Sequence, residues 1–179
     1  MSEHDLIVVG VDGSDDALRA VRYGAGIALL TGAELLLANA VDDTLMAGAW
    51  GVVYDPEVLH EAGVNANDVA RQRAIEAGLP EDRVRTEVIM GSPGGVLTRL
   101  SEVASLLVLG RRAASGLERM FVGSTSVAVV TSAACPVVVI SSAANPDEVG
   151  DKKTIGVAVN TNPGSKSPLE AGFQQAVLH

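Results

Sequence analysis

Short, almost continuous runs of apolar residues recur along the chain, and longer amphipathic segments separate them. Such runs are typical of parallel strands that are buried on both faces. They lie at residues 6–11, 35–38, 84–89, 106–109 and 137–140. The segments that favour helices lie at residues 15–30, 56–77, 93–103 and 124–132. This alternation predicts an α/β fold with flavodoxin-like layering: a doubly wound open sheet of about five mainly parallel strands, with helices on both faces.

The residues that follow the strands are the first candidates for a binding site, because ligands of such folds bind beyond the carboxyl ends of the strands. Val11 and Asp12 end the first strand, and the backbone near Val41 after the second strand can meet the edge of a base. The Asp12 carboxylate can accept hydrogen bonds from an adenine amino group or a sugar hydroxyl. An aspartate that only satisfies its own turn is an equal alternative. Leu109 and Gly110 close the fourth strand.

Gly123, Ser124 and Thr125 open the apolar segment that is predicted to be the last helix of this region. The N-terminus of a helix has backbone N–H groups without partners and a partial positive charge, so it suits an anion such as phosphate. Ser124 is a candidate N-cap or a phosphate ligand, and Gly123 permits close backbone approach. The simpler alternative is that Gly110 ends a strand and Gly123 and Ser124 only cap a helix.

The turns after the first and third strands contain ordinary helix-start signals. Ser14 is a candidate N-cap, and the two acidic residues after it complement the helix dipole. Ser92 is a second candidate N-cap, with Pro93 at the first helical position. These residues are therefore explained without a ligand.

Composition narrows the class of protein. The chain has 179 residues, 47% of them hydrophobic, and a net charge of −9, which argues against a general nucleic-acid surface. No apolar run approaches the roughly 20 residues of a membrane helix, and the N-terminus has no basic signal region, so we expect a cytoplasmic protein without a membrane segment. The single cysteine, Cys135, is expected to be a packed residue rather than a reactive thiol.

Motifs of common enzyme classes are absent from the sequence. It contains neither the Gly-x-x-x-x-Gly-Lys-(Ser/Thr) loop nor the Gly-x-Gly-x-x-Gly fingerprint, and its histidines and cysteine are not spaced for a metal. We therefore predict no catalytic residue and no resident metal site. The sequence favours a binder or sensor, in which any ATP hydrolysis is slow and incidental.

The spacing of several motifs resembles the universal stress protein family over most of residues 4–142. The motifs are Asp12, the Gly-Ser-Pro at 91–93, Gly110, and the closing Cys-Pro and apolar strand at 135–140. Nucleotide-binding members of that family carry Gly-x-x-Gly-x9-Gly-(Ser/Thr). Gly110, Gly123 and Ser124 match this signature, whereas Ala113 stands in place of its second glycine. The added Cβ of Ala113 can weaken binding or exclude the ligand.

The resemblance implies an adenine-nucleotide-hydrolase-like domain that binds ATP, with or without Mg²⁺, and acts in the stress response as a nucleotide sensor. It also implies a homodimer formed through the edge strand at 137–140. The residues that it places at the nucleotide are Val11, Asp12, Val41, Leu109, Gly110, Arg112, Ala113, Gly123, Ser124 and Thr125. The alternative is an interaction module whose nucleotide site is degenerate.

The end of the chain repeats the pattern of its beginning. Residues 153–179 form a strand-turn-helix pattern like that of residues 6–25, with Ile155 to Val159 parallel to Ile7 to Val11 and Asn160 where Asp12 stands. We therefore predict a nucleotide-binding domain at 1–142, a linker at 143–152, and at 153–179 the truncated beginning of a second, similar domain. Chance similarity over a short segment is the alternative.

Overall fold

The structure, a computed structural model, describes residues 5–42, 56–111, 123–141, 157, 170, 172–173 and 176–177. The chain divides into two compact units, Met1–Pro146 and Asp147–His179. The domain boundaries predicted from the sequence stay a prediction.

The first unit contains a five-stranded sheet in which every strand pairing is parallel. Its elements are β1 (Leu6–Val11), α1 (Asp15–Thr31), β2 (Glu34–Val41), α2 (Pro56–Glu76), β3 (Val84–Met90), α3 (Pro93–Leu100), β4 (Leu106–Gly110), α4 (Ser124–Ser132) and β5 (Val137–Ile140). The strand order is β3-β2-β1-β4-β5. The predicted doubly wound α/β fold is thereby confirmed.

The four helices cover both faces of the sheet, as the apolar strands require. Helices α1 and α2 contact each other and the sheet on one face, and α3 and α4 pack together on the other. Because side chains alternate along a strand, Val8, Leu36 and Leu107 face α3 and α4, where they join one buried cluster. The strand order reverses between β1 and β4, which makes their carboxyl ends the switch point of the fold.

Close packing on the α1 face depends on Gly24, because a Cβ there would come within 2.7 Å of Val9 Cγ2. The C-terminal end of α1 is held by Arg83, which lies in the short 3₁₀ helix before β3. Its guanidinium donates to Ala28 O at 2.6 Å and, through Nε, to Ala33 O at 3.2 Å. These bonds satisfy carbonyl oxygens at and just beyond the helix end.

Most elements agree with the predicted bounds to within one residue. Strand β2 continues beyond its apolar run at 35–38 to Val41, within the segment 39–42 where the sequence places its end, and Asn39 and Ala40 remain in register with β3. Helix α3 ends at Leu100 instead of residue 103. There Glu102 N bonds Arg99 O and Val103 N bonds Leu100 O, so the chain tightens into turns.

In the second unit, Glu170, Gly172, Phe173, Ala176 and Val177 are helical, in the region where a helix is predicted. Val157, within the predicted strand at 155–159, is not part of a strand. A Cβ on Gly172 would overlap the Val157 side chain, so the helix and this residue are packed against each other.

Candidate functional site

A cavity of about 150 Å³ opens at the switch point, where β1 and β4 end. Strands β1, β2 and β4 form its floor, and the N-terminal end of α4 forms one wall. The described residues that line it are Gly10, Val11, Asp12, Ala17, Ala38, Ala40, Pro93, Leu97, Leu109, Gly110, Gly123, Ser124, Thr125 and Ser126. Most of the strand-end residues selected from the sequence are thus brought together around one space.

The N-terminus of α4 offers backbone N–H groups to the cavity. Gly123 is the N-cap, with φ −58° and ψ 153°, and no side chain of the described residues caps the helix. The first helical hydrogen bond is the one from Val127 N to Gly123 O, at 3.0 Å. The amides of Ser124, Thr125 and Ser126 therefore precede the helical hydrogen-bond ladder and lie where an anion is favoured.

The placement of Ser124 corrects one sequence prediction. Ser124 is the first helical residue and not the N-cap, because the extended backbone conformation falls on Gly123. Ser124 is exposed and lines the cavity.

Asp12 both lines the cavity and closes its own turn. Its Oδ1 accepts hydrogen bonds from Ser14 N at 3.0 Å and from Ser14 Oγ at 2.6 Å. Gly13 supplies the positive φ of 77° that this turn requires. The Ser14 hydroxyl in turn accepts from Ala17 N at 3.2 Å, so Ser14 is the N-cap of α1 as predicted. Asp12 therefore satisfies its own turn through Oδ1, which is one of the two alternatives that the sequence offered.

Gly110 allows β4 to touch the beginning of α1. A Cβ at this position would overlap the backbone of Asp16 and Ala17, so a larger residue would displace the helix start that borders the cavity. Gly110 is thus required by packing, whatever the ligand.

Several lining residues were not among the site residues predicted from the sequence: Gly10, Ala17, Ala38, Ala40, Pro93, Leu97 and Ser126. The alternation along β2 was the available signal, because Ala38 and Ala40 lie two residues apart on one face near the end of a strand. Leu97 enters from α3, and no local sequence pattern indicates that it faces the site.

Three predicted site residues are not among the described residues that line the cavity. Val41 is buried and is not among the described residues that line the cavity; its carbonyl accepts from Gly91 N at 2.9 Å. Arg112 and Ala113 lie outside the described residues. Their roles, like that of Val41, stay predictions.

Asn39 ties the ends of β2 and β1 together beside the site. This buried side chain donates through Nδ2 to Val11 O at 2.9 Å. Gly63 of α2 makes room for it, since a Cβ there would come within 2.8 Å of Asn39 Oδ1. Asn39 therefore holds the strand end from which Asp12 projects.

Asp12 is the only ionisable side chain among the described lining residues. Within the described part of the chain, no group of three or more His, Cys, Asp or Glu residues is arranged for a metal. Cys135 lies away from the cavity and packs beside the buried cluster, and its burial raises the pKa of the thiol. No helix in the described ranges is long and apolar enough to span a membrane.

Comparison with known proteins identifies the family. Residues 4–141 match the Universal stress protein family. A universal stress protein of Methanocaldococcus jannaschii is 32% identical over 141 residues, which cover 75% of this chain and 80% of that protein. A universal stress protein of Mycobacterium tuberculosis is 29% identical over 181 residues, covering 95% of this chain and 59% of that longer protein.

Solved structures show the same relationship. A universal stress protein from Lactobacillus plantarum matches with a TM-score of 0.62 and 30% identity, covering 78% of this chain and 99% of its own. A universal stress protein solved in complex with cAMP matches with a TM-score of 0.59 and 28% identity. The match covers 79% of this chain and 100% of that chain. This chain therefore belongs to the universal stress protein family.

Proposed function

We propose that this protein binds an adenine nucleotide in the switch-point cavity and acts as a regulatory protein of the stress response. The observation that carries the proposal is the N-terminus of α4, whose first amides face the cavity without a capping side chain. The universal stress protein solved with cAMP supports the choice of an adenine nucleotide.

In the proposed complex, a phosphate group accepts hydrogen bonds from the backbone amides and hydroxyls of Ser124 and Thr125. Asp12 accepts from the ribose or from the adenine amino group. The small side chains of Ala38 and Ala40 leave room for the planar base beside the sheet, and Leu109 supplies an apolar wall.

ATP is the nucleotide that the family resemblance favours. Asp12 is the single carboxylate in the described lining, so Mg²⁺ is expected to enter with the nucleotide phosphates rather than to occupy a protein site of its own. The described lining also contains no histidine, cysteine or lysine that could act as a base or nucleophile. The proposal is therefore a nucleotide sensor rather than a turnover enzyme, and we place it in the cytoplasm.

Calorimetry of nucleotide-free protein with ATP, with and without Mg²⁺, and with cAMP tests the proposal. Denatured protein is first checked by mass spectrometry for nucleotide carried through purification. We expect saturable binding that Ser124→Ala weakens about tenfold, because a hydrogen bond to a charged group is lost. Ser132→Ala, at the far end of α4, is the matched control. Absence of heat and of co-purified nucleotide, at millimolar ligand, would favour the interaction module with a degenerate site.

We further propose that the protein is a homodimer formed through β5. This strand is apolar, lies at an edge of the sheet and pairs with β4 on one side. The carbonyls of Pro136 and Ile140 point to β4, so the backbone groups of Val139 point outward. Val139→Pro removes an outward N–H, whereas Val139→Thr keeps it. We expect sedimentation equilibrium to show a dimer for Val139→Thr and a folded monomer for Val139→Pro; a proline variant that stays dimeric would exclude this interface.

A further inference from the structure

Asn39 is a buried polar residue that takes no part in the ligand contacts proposed above. It is only 7% exposed and lies on β2 between Ala38 and Ala40, which line the switch-point cavity. Because side chains alternate along a strand, Asn39 faces the other side of the sheet, where Gly63 of α2 makes room for it. Any effect of its side chain on a ligand must therefore be transmitted through the main chain.

The hydrogen bond that Asn39 makes falls on the last residue of β1. Its Nδ2 donates to Val11 O at 2.9 Å, and Val11 is the β1 residue in register with Asn39. The pairing of β1 with β2 ends at these two residues, and the pairing of β1 with β4 ends one residue earlier, at Gly10 and Leu109. Asn39 thus adds a side-chain tie at the point where the main-chain pairing of β1 stops.

The turn after β1 carries the only carboxylate among the described residues that line the cavity. Asp12 Oδ1 accepts from Ser14 N at 3.0 Å, and this bond fixes the carboxylate within its own turn. Gly13, with a φ of 77°, lies in the middle of that turn, and glycine restricts the backbone less than other residues do. The bond from Asn39 to Val11 O is therefore a contact that holds the turn in place relative to β2.

Strand β2 also supplies the floor on which the base lies in the proposed complex. Ala38 and Ala40 line the cavity on one side of β2, and Asn39 between them holds the end of β1 from the other side. The amide of Asn39 thus sets the position of the Asp12 carboxylate relative to this floor. Because a hydrogen bond depends on distance and angle, a displaced carboxylate binds a ligand on the floor less well.

We propose that Asn39 is a positioning residue of the nucleotide site. Its hydrogen bond to Val11 O holds Asp12 where the carboxylate meets the nucleoside part of the ligand, and Gly63 gives the amide the room that this bond requires. Asn39 itself touches no part of the nucleotide. This inference rests on the proposed function, because it assigns Asn39 a role in the same site.

Calorimetric titration of ATP into the full chain and into its Asn39→Ala variant tests the inference. Alanine cannot donate to Val11 O, so we expect the affinity for ATP to fall at least about threefold. Asn67→Ala is the matched control. Asn67 is 2% exposed, its Nδ2 donates to a main-chain carbonyl, Glu87 O, at 2.9 Å, and it does not line the cavity. The control should bind ATP like the unchanged protein, and equal weakening in both variants would reduce the effect to general destabilisation and overturn the inference.

A double-mutant cycle with Asp12→Ala shows whether Asn39 acts through Asp12. A residue that only stabilises the fold would weaken ATP binding by the same factor in both backgrounds. We expect instead that Asn39→Ala has no further effect on ATP affinity once Asp12 is replaced, because the two changes remove one and the same contact. Additive losses would contradict the assigned role.

Gly63→Ala is a second variant, in which Asn39 itself is unchanged. The added Cβ would come within 2.8 Å of Asn39 Oδ1, while alanine raises the helix propensity of α2. We expect weaker ATP binding here too. Unchanged ATP affinity in Asn39→Ala, or in Gly63→Ala where Asn39→Ala does not fold, would overturn this inference and leave the proposed function standing. An unchanged protein that does not bind ATP would overturn both.

Discussion

Helices α1 and α4 both begin beside the switch-point cavity. They differ in whether a side chain accepts a hydrogen bond from the backbone N–H groups of the first turn. Helix α1 has a serine N-cap whose hydroxyl accepts from Ala17 N, and acidic residues follow it in the first turn. Helix α4 begins at Ser124, after its N-cap Gly123, and among the described residues it has neither a capping side chain nor an acidic residue in its first turn. The same structural element is therefore closed to an anion in α1 and open to one in α4.

Asp16 places a negative charge of the protein itself in the first turn of α1. This carboxylate is only 5% exposed, and its Oδ1 receives a hydrogen bond from Arg19 at 2.5 Å. A negative charge in the first turn of a helix interacts favourably with the helix dipole. Helix α1 thus carries its own anion, whereas in the proposed function α4 takes one from the ligand.

The largest expected effect comes from Gly110→Ala, which disturbs the start of α1. The added Cβ overlaps backbone atoms of Asp16 and Ala17, so we expect the free energy of unfolding to fall by about 1–3 kcal/mol, as in overpacked cores. Urea denaturation measures the loss. Gly10→Ala is the matched control, because its Cβ would meet the movable Leu109 Cδ2 at 2.8 Å. Equal losses in the two variants would contradict this account.

Ser124→Asp gives α4 the acidic first turn that α1 already has. We expect the helix to gain about 0.3–1 kcal/mol from the dipole. Nucleotide affinity should fall about tenfold or more, because the carboxylate competes with phosphate for the same amides. Calorimetry and thermal unfolding measure the two effects. Ser124→Asn separates charge from size, and unchanged ATP affinity in Ser124→Asp would place the phosphate elsewhere.

Ser14→Ala and Ser124→Ala should have opposite consequences. Ser14→Ala removes the N-cap of α1 and is expected to cost about 1 kcal/mol of stability with little change in nucleotide affinity. Ser124→Ala removes no cap, so it should leave stability unchanged and reduce affinity. Denaturation and nucleotide titration of both variants check the contrast. A stability loss in Ser124→Ala equal to that in Ser14→Ala would show that its hydroxyl does cap the helix.

The smallest expected effect is that of Gly123→Ser, which supplies α4 with a capping hydroxyl. Glycine is itself an acceptable N-cap, so the gain should be a few tenths of a kcal/mol, or about 1 °C in Tm. Differential scanning calorimetry detects a shift of this size. A loss of stability would indicate that the extended backbone at Gly123 does not accommodate a side chain.

Much of the fold could be predicted from the sequence, because strands and helices follow from the spacing of neighbouring residues. The bounds of β1, β5 and α4 agree with the apolar runs. The end of α3 was predicted too late, since its last residues form turns held by main-chain bonds to Arg99 and Leu100. No apolar periodicity distinguishes such turns from a helix.

The site was predictable where it consists of strand ends and of the start of α4. Asp12 and Gly110 could be chosen because residues after parallel strands gather at one edge of the sheet. Ser124 could be chosen because the N-terminus of a helix suits an anion. Leu97 could not, since its place at the cavity depends on how α3 packs across the sheet.

The sequence by itself determined the alternation of strands and helices, the residues at the strand ends, and the small residues at the start of α4. Only the tertiary structure decided that β1 lies beside β4, with Gly10 opposite Leu109, and that Gly123 rather than Ser124 caps α4. The physical reason is range: periodicity and capping preferences act between residues close in the chain. Strand order and cavities arise from the cooperative packing of segments that lie far apart in it.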